Sequence, residues 1–350
     1  MKNMDSVLKK TKSSSAQEFV NNLLNEGAKY TCDDLSEDFL NRDDLPSFYN
    51  EEIFRRGQRF FYKHVFALLF SKILGLITVL SVPSILKVVI FTKMSGTEVT
   101  AYKRYAANIL HMMVWYGSDF KPGSKLWKSI ANIREQHNST SNRICSAGMN
   151  RITQKDMAIG QFAFLGISLC RSKTLGIHKT SNQEWEAFIH VWRVIGYLIG
   201  IEDRFNLCDG TLEEVRERCN ILMVQVFRPN IEQKDENFIK MSRYMVHGLW
   251  CINILIKFET VMYYLHILTQ NEISNMKLQS TCYKLNSSQK FNLNLLITIV
   301  YMLSWNWFRI FLNYFQILSL WLMKVFPVLA AYQFGLSNAR VRILSNNKTN

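Results

Sequence analysis

Basic and amide side chains recur at helical spacing inside three apolar segments of the chain. In TAYKRYAANILHMMVWY, Arg104 and Asn108 are four residues apart and therefore share one face of a helix. His137 continues the apolar stripe of SKLWKSIANIREQH, and FIHVWRVIGYLIGIEDRFNLC carries His190 and Arg193. Each segment is predicted to bring a cationic or hydrogen-bonding group to the interior of the protein.

The third segment combines such groups with two glycines. His190, Arg193 and Tyr197 are spaced i, i+3 and i+7, which places them on one helix face. Gly196 and Gly200 leave room for another backbone or for a flat ligand. This composition suits a planar cofactor with an anionic edge, and it suits an internal ion pair equally well.

The buried charges require partners. A guanidinium buried without an anion is costly, so Arg104 and Arg193 should each lie near a carboxylate. The pattern around His137 is that of a core histidine hydrogen-bonded to a carbonyl group, because a lone histidine needs only one partner. The carboxylates for the arginines could come from a bound cofactor or from Asp203, Glu202 or Asp156.

Other chemistries lack their motifs. The chain contains no paired Glu-x-x-His motifs for a di-iron centre, and it has no G-x-G-x-x-G, P-loop or G-x-S-x-G sequence. Its seven cysteines are scattered without a C-x-x-C, which argues against both a disulfide framework and a zinc site. If the protein carries out redox chemistry, haem with a histidine ligand is the most economical cofactor.

The elements that must position these residues are predicted to be helices. Only 15 glycines and 5 prolines occur in 350 residues, which is sparse for a β-protein, and no strand-period segment is convincing. We expect an all-α domain over residues 45–335, a mobile charged leader over 1–44 with one short helix, and a tail over 336–350. The predicted helices are 16–24, 100–116, 124–137, 153–170, 183–201, 212–227 (ending before Pro229) and one long or broken helix over 236–268.

The net charge of +14 raises the question of an anionic partner. The Lys and Arg residues form no dense stripe and instead flank hydrophobic segments, which favours contact with an anionic membrane over nucleic acid. Two apolar stretches bear on this. Residues 65–91 are interrupted by Lys72, Lys87 and Pro83 and resemble a buried or re-entrant helix, whereas residues 291–332 could be membrane helices or the last core helices.

Four sequence strings, taken together and in order, resemble the rubber-oxygenase family. They are SGTEVTAYKRYAANILHMMVWYG, IREQH, QKDMAIGQFAFLGISL and FIHVWRVIGYLIGIEDRFNLC. This family includes the bacterial latex-clearing proteins and the mpaB-type endoplasmic-reticulum oxygenases of fungi. The resemblance runs from about Leu45 to about Pro229, and the C-terminal part follows more loosely.

The resemblance implies an all-helical fold that holds haem b and cleaves carbon–carbon double bonds with dioxygen. The family's axial histidine lies in an Arg-x-x-His sequence, which here is Arg134 to His137. The family's distal Arg-x-x-x-Thr falls on Arg104 to Asn108, so an asparagine replaces the threonine. The position of a lysine that caps the iron in some bacterial relatives is Ala107, which cannot bind a metal. We therefore expect an open distal position.

A later helix of the family carries the sequence His-x-Trp-Arg-x-x-Gly, which falls here on His190, Trp192, Arg193 and Gly196. The resemblance thus implies that His137 binds iron, that Arg104 and Asn108 act on bound oxygen, and that Arg134, His190 and Arg193 surround the haem. The expected function is a membrane-associated oxygenase, in the endoplasmic reticulum, acting on an unsaturated lipid or isoprenoid-like molecule. The alternatives are a non-catalytic haem- or lipid-binding membrane protein and a helical membrane scaffold without a cofactor.

Overall fold

A computed structural model describes residues 15–33, 45–252, 256–270 and 285–344, and α-helices form nearly all of its regular structure. The predicted all-α fold is confirmed, since the β-type pairing among these residues is a single isolated bridge between Thr31 and Thr153. The helices are α1 (15–25), α2 (Glu51–Lys63), α3 (Val65–Leu80), α4 (Pro83–Thr92), α5 (Glu98–Gly117), α6 (Lys125–Ser146), α7 (Gln154–Cys170), α8 (Asn182–Leu198), α9 (Leu212–Leu222), α10 (Arg228–Gln233), α11 (Glu236–Leu249), α12 (Phe258–Thr269), α13 (Ser287–Met302), α14 (Asn306–Val325), α15 (Val328–Phe334) and α16 (Leu336–Ala339).

Capping boxes begin four of the helices around the core. In each box, the hydroxyl of the N-cap residue accepts a hydrogen bond from the backbone N–H three residues later, and that later side chain bonds back to the N-cap. The pairs are Thr97–Thr100, Thr153–Asp156, Ser181–Glu184 and Thr211–Glu214. These local bonds explain why the helix starts lie within a few residues of the predicted positions.

Two predicted helix ends differ from the structure. The helix that carries His137 does not end there but continues to Ser146. Pro229 does not end its helical segment, because a π-helical turn over Met223–Phe227 leads directly into α10. The proline is the second residue of α10 and lacks a backbone N–H, so it interrupts the regular hydrogen-bond pattern where the π-helical turn ends.

The long apolar and amphipathic segments are each divided. Residues 65–91 form α3 and α4, which are separated by a short break before Pro83. Residues 236–268, predicted as one long or broken helix, form the separate helices α11 and α12. Breaks of this kind let consecutive helices change direction around the core.

The core is organised around α3, of whose 16 residues 15 are buried. This helix crosses α7 at Gly75, where the absence of a side chain lets the Ala163 backbone approach closely. A second close crossing joins α2 to α8 at Gly57 and Ala187. Because α3 is enclosed on nearly all sides, residues 65–80 are a core helix.

The part of the predicted leader that the structure describes is attached to this core. Val20 and Leu23 of α1 are fully buried, and the Cys32 N–H donates to the Ile152 carbonyl at 2.9 Å. The remainder of the leader, residues 1–14 and 34–44, lies outside the described residues, as do residues 345–350 of the predicted tail.

Candidate functional site

A cavity of about 740 Å³ lies between α3, α4, α5, α6, α7 and α8 and is completed by residues 340–343. Its walls are mainly apolar, with contributions that include Leu76, Val89, Ile133, Phe164, Trp192 and Ile343. The volume is within the range of sites for small molecules and cofactors. Three of the predicted site residues, Arg104, Asn108 and His137, line this one cavity.

His137 is a neutral histidine without a ring partner at Nδ1. This nitrogen is fully buried, and no described residue bonds to it. Burial, with a smaller effect of the positive charge of Arg104, lowers the pKa of His137 to about 4. The imidazole is therefore uncharged at neutral pH, and Nε2 is the nitrogen through which it can bind a ligand.

A second cavity histidine, His111, is committed to a hydrogen-bond network. Its Nδ1 lies 2.6 Å from the hydroxyl of Ser129, which also accepts from the Trp115 indole N–H at 2.9 Å. The Ser129 hydroxyl can accept from Nδ1 of His111 or donate to it, so this ring nitrogen is occupied in either tautomer. Burial, with a smaller effect of the Lys72 charge, lowers the pKa of His111 to about 4. His111 is consequently held in the wall of the cavity by Ser129 and Trp115.

Arg104 has only weak partners of its own. Its Nη1 lies 3.4 Å from both Thr92 Oγ1 and Ser95 Oγ, at the outer limit of hydrogen bonding. The guanidinium carbon is 5.9 Å from the centre of the Tyr105 ring. No carboxylate within the described ranges forms an ion pair with Arg104, so its charge is available to an anionic ligand.

The cavity carries an excess of positive charge. Lys103, Arg104, Arg340 and Arg342 contribute to its lining, whereas Asp156 is the acidic residue there. The Asp156 carboxylate is already engaged, because it accepts from Ser84 Oγ at 2.6 Å and from Thr153 Oγ1 at 2.8 Å. An apolar cavity with cationic groups suits a ligand that has an apolar body and an anionic end.

Arg134 and His190 lie outside the lining of this cavity. Arg134 is buried and donates from Nη1 to the Leu198 carbonyl at 3.2 Å, which ties α6 to the end of α8. His190 accepts the Asn50 N–H at Nε2 over 3.1 Å and stacks on Tyr49. Both side chains connect elements of the fold.

Arg193 also lies away from the cavity and has internal carboxylate partners. It donates from Nε and Nη2 to the two oxygens of Asp203, at 3.2 and 2.8 Å, and Nη2 lies 2.7 Å from Asp209. Its guanidinium stands 4.0 Å from the centre of the Phe48 ring. Of the partners left open by the sequence, Asp203 is the one that Arg193 contacts. The roles of Arg134, His190 and Arg193 beside a cofactor stay predictions.

Gly196 in α8 and Gly200 just after its end both lie against other groups of the protein. A Cβ at Gly196 would lie 2.3 Å from Nε2 of Gln161, whose amide bonds to the Trp192 carbonyl, Asn206 and the Leu207 N–H. Gly200 has a φ of +106° and faces the Cys32 carbonyl. The group that approaches Gly196 is therefore the Gln161 side chain, and the group that approaches Gly200 is the backbone of Cys32.

Lys72 is a functional candidate that the sequence pattern did not single out. It is 1% exposed, donates from Nζ to the Asn108 carbonyl at 3.2 Å, and stands 4.9 Å from the Phe164 ring centre. Burial lowers the pKa of Lys72 to about 7. The lysine thus holds α3 against the segment of α5 that carries Asn108, and near pH 7 it lies at the midpoint of its titration.

We expect the Lys72→Met variant to be more stable than the wild type at pH 6, by about 1–3 kcal/mol, because a buried unpaired charge is removed. Between pH 7 and 10.5 the unfolded chain binds more protons at Lys72 than the folded chain, so wild-type stability rises with pH over that range. The advantage of the variant should therefore shrink as pH rises. Urea unfolding at pH 6 and pH 9 measures this difference, and a pH-independent gap would contradict the buried charge.

The described residues offer no site for a bare metal ion. No group of three or more His, Cys, Asp or Glu side chains is close enough to hold one. A haem iron requires less from the protein, since the porphyrin supplies most of the ligands and a single histidine supplies another. His137 is the side chain in the cavity that could do so.

No protein-family model, curated protein or solved structure matches the chain. The resemblance to the rubber-oxygenase family therefore stays a prediction. A function must be supported by the side chains of the cavity themselves.

Proposed function

We propose that the protein binds haem b through Nε2 of His137 and acts as an oxygenase that uses dioxygen to cleave a carbon–carbon double bond of an unsaturated lipid or isoprenoid-like molecule. The observation that carries the proposal is the pairing, in one cavity, of an unpaired neutral histidine with an arginine that has no carboxylate partner among the described residues. Bound haem would supply the redox chemistry that activates dioxygen.

The residues fit this cofactor in three respects. His137 is uncharged, so its lone pair is available to iron at neutral pH. Lys103 and the arginines of residues 340–343 supply positive charge for the two propionates of the haem. The cavity volume of about 740 Å³ falls in the range of cofactor sites.

One feature departs from the usual arrangement. A metal-bound histidine ordinarily donates its second ring N–H to a carboxylate, a carbonyl group or water, which orients the ring. Nδ1 of His137 is covered and has no such partner among the described residues. We expect this to leave the imidazole a weaker electron donor, without removing its capacity to bind.

The other polar residues of the cavity have roles that follow from their hydrogen atoms. Asn108 can donate from its side-chain amide and Arg104 from its guanidinium, so both can stabilise an electronegative ligand. Ala107 lines the cavity but has no side-chain atom that could bind a metal.

The apolar walls define the substrate class. Side chains such as Leu76, Val89 and Phe164 offer no hydrogen-bond partners, so they favour a hydrocarbon chain over a polar metabolite. They also exclude water, which strengthens the polar interactions of Arg104 and Asn108 inside the cavity. An unsaturated chain with an anionic end satisfies both the walls and the charge.

Titration of the purified protein with haemin tests the proposal. We expect a sharp Soret band at a ratio of one haem per chain, and dioxygen consumption when the reduced complex is given an unsaturated fatty acid or a polyprenol. The saturated counterpart is the matched control and should not stimulate consumption. Absence of a stoichiometric Soret band would refute haem binding.

A second candidate is a haem- or lipid-binding protein without catalysis. It is favoured by Asn108, which stands where the resembling family has threonine. The same titration distinguishes the two: a one-to-one haem complex that consumes no dioxygen with any of these lipids would identify the non-catalytic protein. Lipid binding without a Soret band would identify a lipid carrier.

A further inference from the structure

Helix α14 exposes a large apolar face and buries polar side chains together with Leu312, Leu320 and Met323, unlike a surface helix in water. The residues that it turns toward the protein include Arg309, Asn313 and Gln316, all at most 9% exposed. Its outer face consists of large apolar side chains that are between 37% and 71% exposed: Trp307, Ile310, Phe311, Tyr314, Phe315, Leu318, Trp321, Leu322 and Val325. A helix in water buries its apolar face, so the surroundings of this outer face are expected to be apolar.

Specific hydrogen bonds fix this orientation. The Asn313 side chain accepts the Phe66 N–H at 3.1 Å and donates to the Lys63 carbonyl at 2.8 Å. It thereby satisfies backbone groups at the sharp bend of 91° between α2 and α3. Ser319 donates to the Ile252 carbonyl at 2.7 Å. Rotating α14 to bury its aromatic face would break these bonds.

The exposed apolar face continues beyond α14. We name residues 285–344, which contain α13 to α16, the C-terminal arm. Of the 23 exposed large hydrophobic side chains among the described residues, 18 lie between Phe291 and Leu336. The remainder of the described protein exposes only scattered ones, so the apolar surface is a property of the arm.

The charge of this part of the chain favours a particular occupant. From residue 273 to residue 350 the sequence contains eight Lys and Arg residues and no Asp or Glu. In the arm, Lys290, Lys324, Arg340 and Arg342 are exposed. Trp and Tyr side chains among apolar ones, accompanied by unpaired basic residues, are typical of a surface that contacts lipid headgroups.

We propose that the outer face of the C-terminal arm docks in the interface of a bilayer that contains anionic lipid. The inner face of α14 packs on α2 and α3, so lipid can reach only its outer side. No single described helix is long and apolar enough to cross a membrane. Two bent helix pairs, α2–α3 and α13–α14, have the length and composition of a span when their helices are taken together, and α13 and α14 meet at 115°. Because α2 and α3 cover the inner face of α14, the arm would lie along the membrane surface.

Docking would also place one wall of the cavity at the membrane. The exposed side chains of Tyr332 and Leu336, at 85% and 86%, precede the cavity-lining residues 340–343 by only a few positions. Tyr102 holds this connection to α5 through a bond from its hydroxyl to the Ala339 carbonyl at 2.6 Å. An amphiphile from the bilayer would therefore meet the cavity beside Arg340 and Arg342. The docking itself does not depend on haem.

Flotation of the purified full-length protein with lipid vesicles tests the proposal. We expect binding to phosphatidylcholine vesicles that contain phosphatidylserine, and weaker binding to phosphatidylcholine alone. The triple variant Trp307→Ser, Phe311→Ser, Trp321→Ser should lose binding by at least tenfold. Its matched control replaces Tyr30, Leu45 and Val224, exposed apolar residues outside the arm, by serine and should bind as the wild type does.

Two triple variants, one inside the arm and one outside it, measure how much the basic residues contribute to vesicle binding. Lys290→Gln, Lys324→Gln, Arg342→Gln should weaken binding to the anionic vesicles by about fivefold for each residue. Lys121→Gln, Lys125→Gln, Lys128→Gln removes the same charge from exposed residues outside the arm and should have little effect. Equal weakening by both triples would mean that net charge, and not the arm, attracts the vesicle, which would overturn the proposal.

Two further outcomes would overturn it. In the first, circular dichroism shows that the wild type is folded, but it floats with neither vesicle and sediments as a dimer. If the Trp307 triple variant then sediments as a monomer, a second copy of the chain covers the arm.

The second outcome concerns the depth of the tryptophans, which brominated lipids report through fluorescence quenching. Stronger quenching by bromine near the chain end than by bromine near the headgroup would show deep insertion and would contradict the interfacial position.

Discussion

Replacing His137 by alanine is expected to abolish haem retention and the Soret band, because the other histidine that lines the cavity, His111, is held in a hydrogen-bond network. Its Nδ1 contacts the Ser129 hydroxyl, which also accepts from the Trp115 indole N–H. Removing an outer partner of a metal ligand typically lowers affinity about 10- to 100-fold, so loss of the ligand itself should exceed this. Haem titration of the variant, followed by absorbance, measures the effect.

Folding and binding can be separated at this position. Nδ1 of His137 has no partner to lose, so the alanine variant should unfold at nearly the same urea concentration as the wild type without haem. His190→Ala and His111→Ala are the controls. Both should be less stable, because they remove partners of the Asn50 N–H and of Ser129, and both should still bind haem. An unchanged spectrum for His137→Ala, with loss in His190→Ala, would show that the axial assignment is wrong.

The sequence predicts the helices well because their signals are local. The capping pairs Thr153–Asp156 and Ser181–Glu184 are three residues apart, and the apolar period is visible within each segment. The placement of Arg104 and Asn108 in one cavity follows from their i, i+4 spacing on α5. Where a helix end depends on tertiary packing, as at Pro229, the local signal misleads.

Partners of buried polar groups are harder to predict, because they come from distant parts of the chain. Nothing in the sequence around His190 indicates that it accepts the Asn50 N–H, 140 residues earlier. Periodicity likewise gives the faces of α14 but not which face the protein covers. That choice depends on Asn313 meeting the bend between α2 and α3. The contribution of Arg340 to Ile343, predicted as a tail, to the cavity is equally non-local.

A large loss of stability is expected when Gly75 is replaced by alanine. The added Cβ would lie 2.3 Å from the Ala163 carbonyl oxygen and 2.8 Å from its Cα. Both are backbone atoms of α7, so neither can rotate away and the two helices must separate. Because α3 is buried over nearly its whole length, separation disturbs the core and one wall of the cavity. We expect a cost of about 3 kcal/mol.

Gly160, on the same helix as Ala163, provides the matched control. No atom lies within 4 Å of a Cβ at this position, which faces the cavity. Gly160→Ala should therefore gain the helix preference of alanine, about 1 kcal/mol, without a clash. Urea unfolding of the two variants should move in opposite directions from the wild type. If Gly75→Ala unfolded at the same urea concentration as Gly160→Ala, then Gly75 of α3 would not contact the Ala163 backbone of α7. The cavity wall that carries Leu76 and Phe164 would then have a different position.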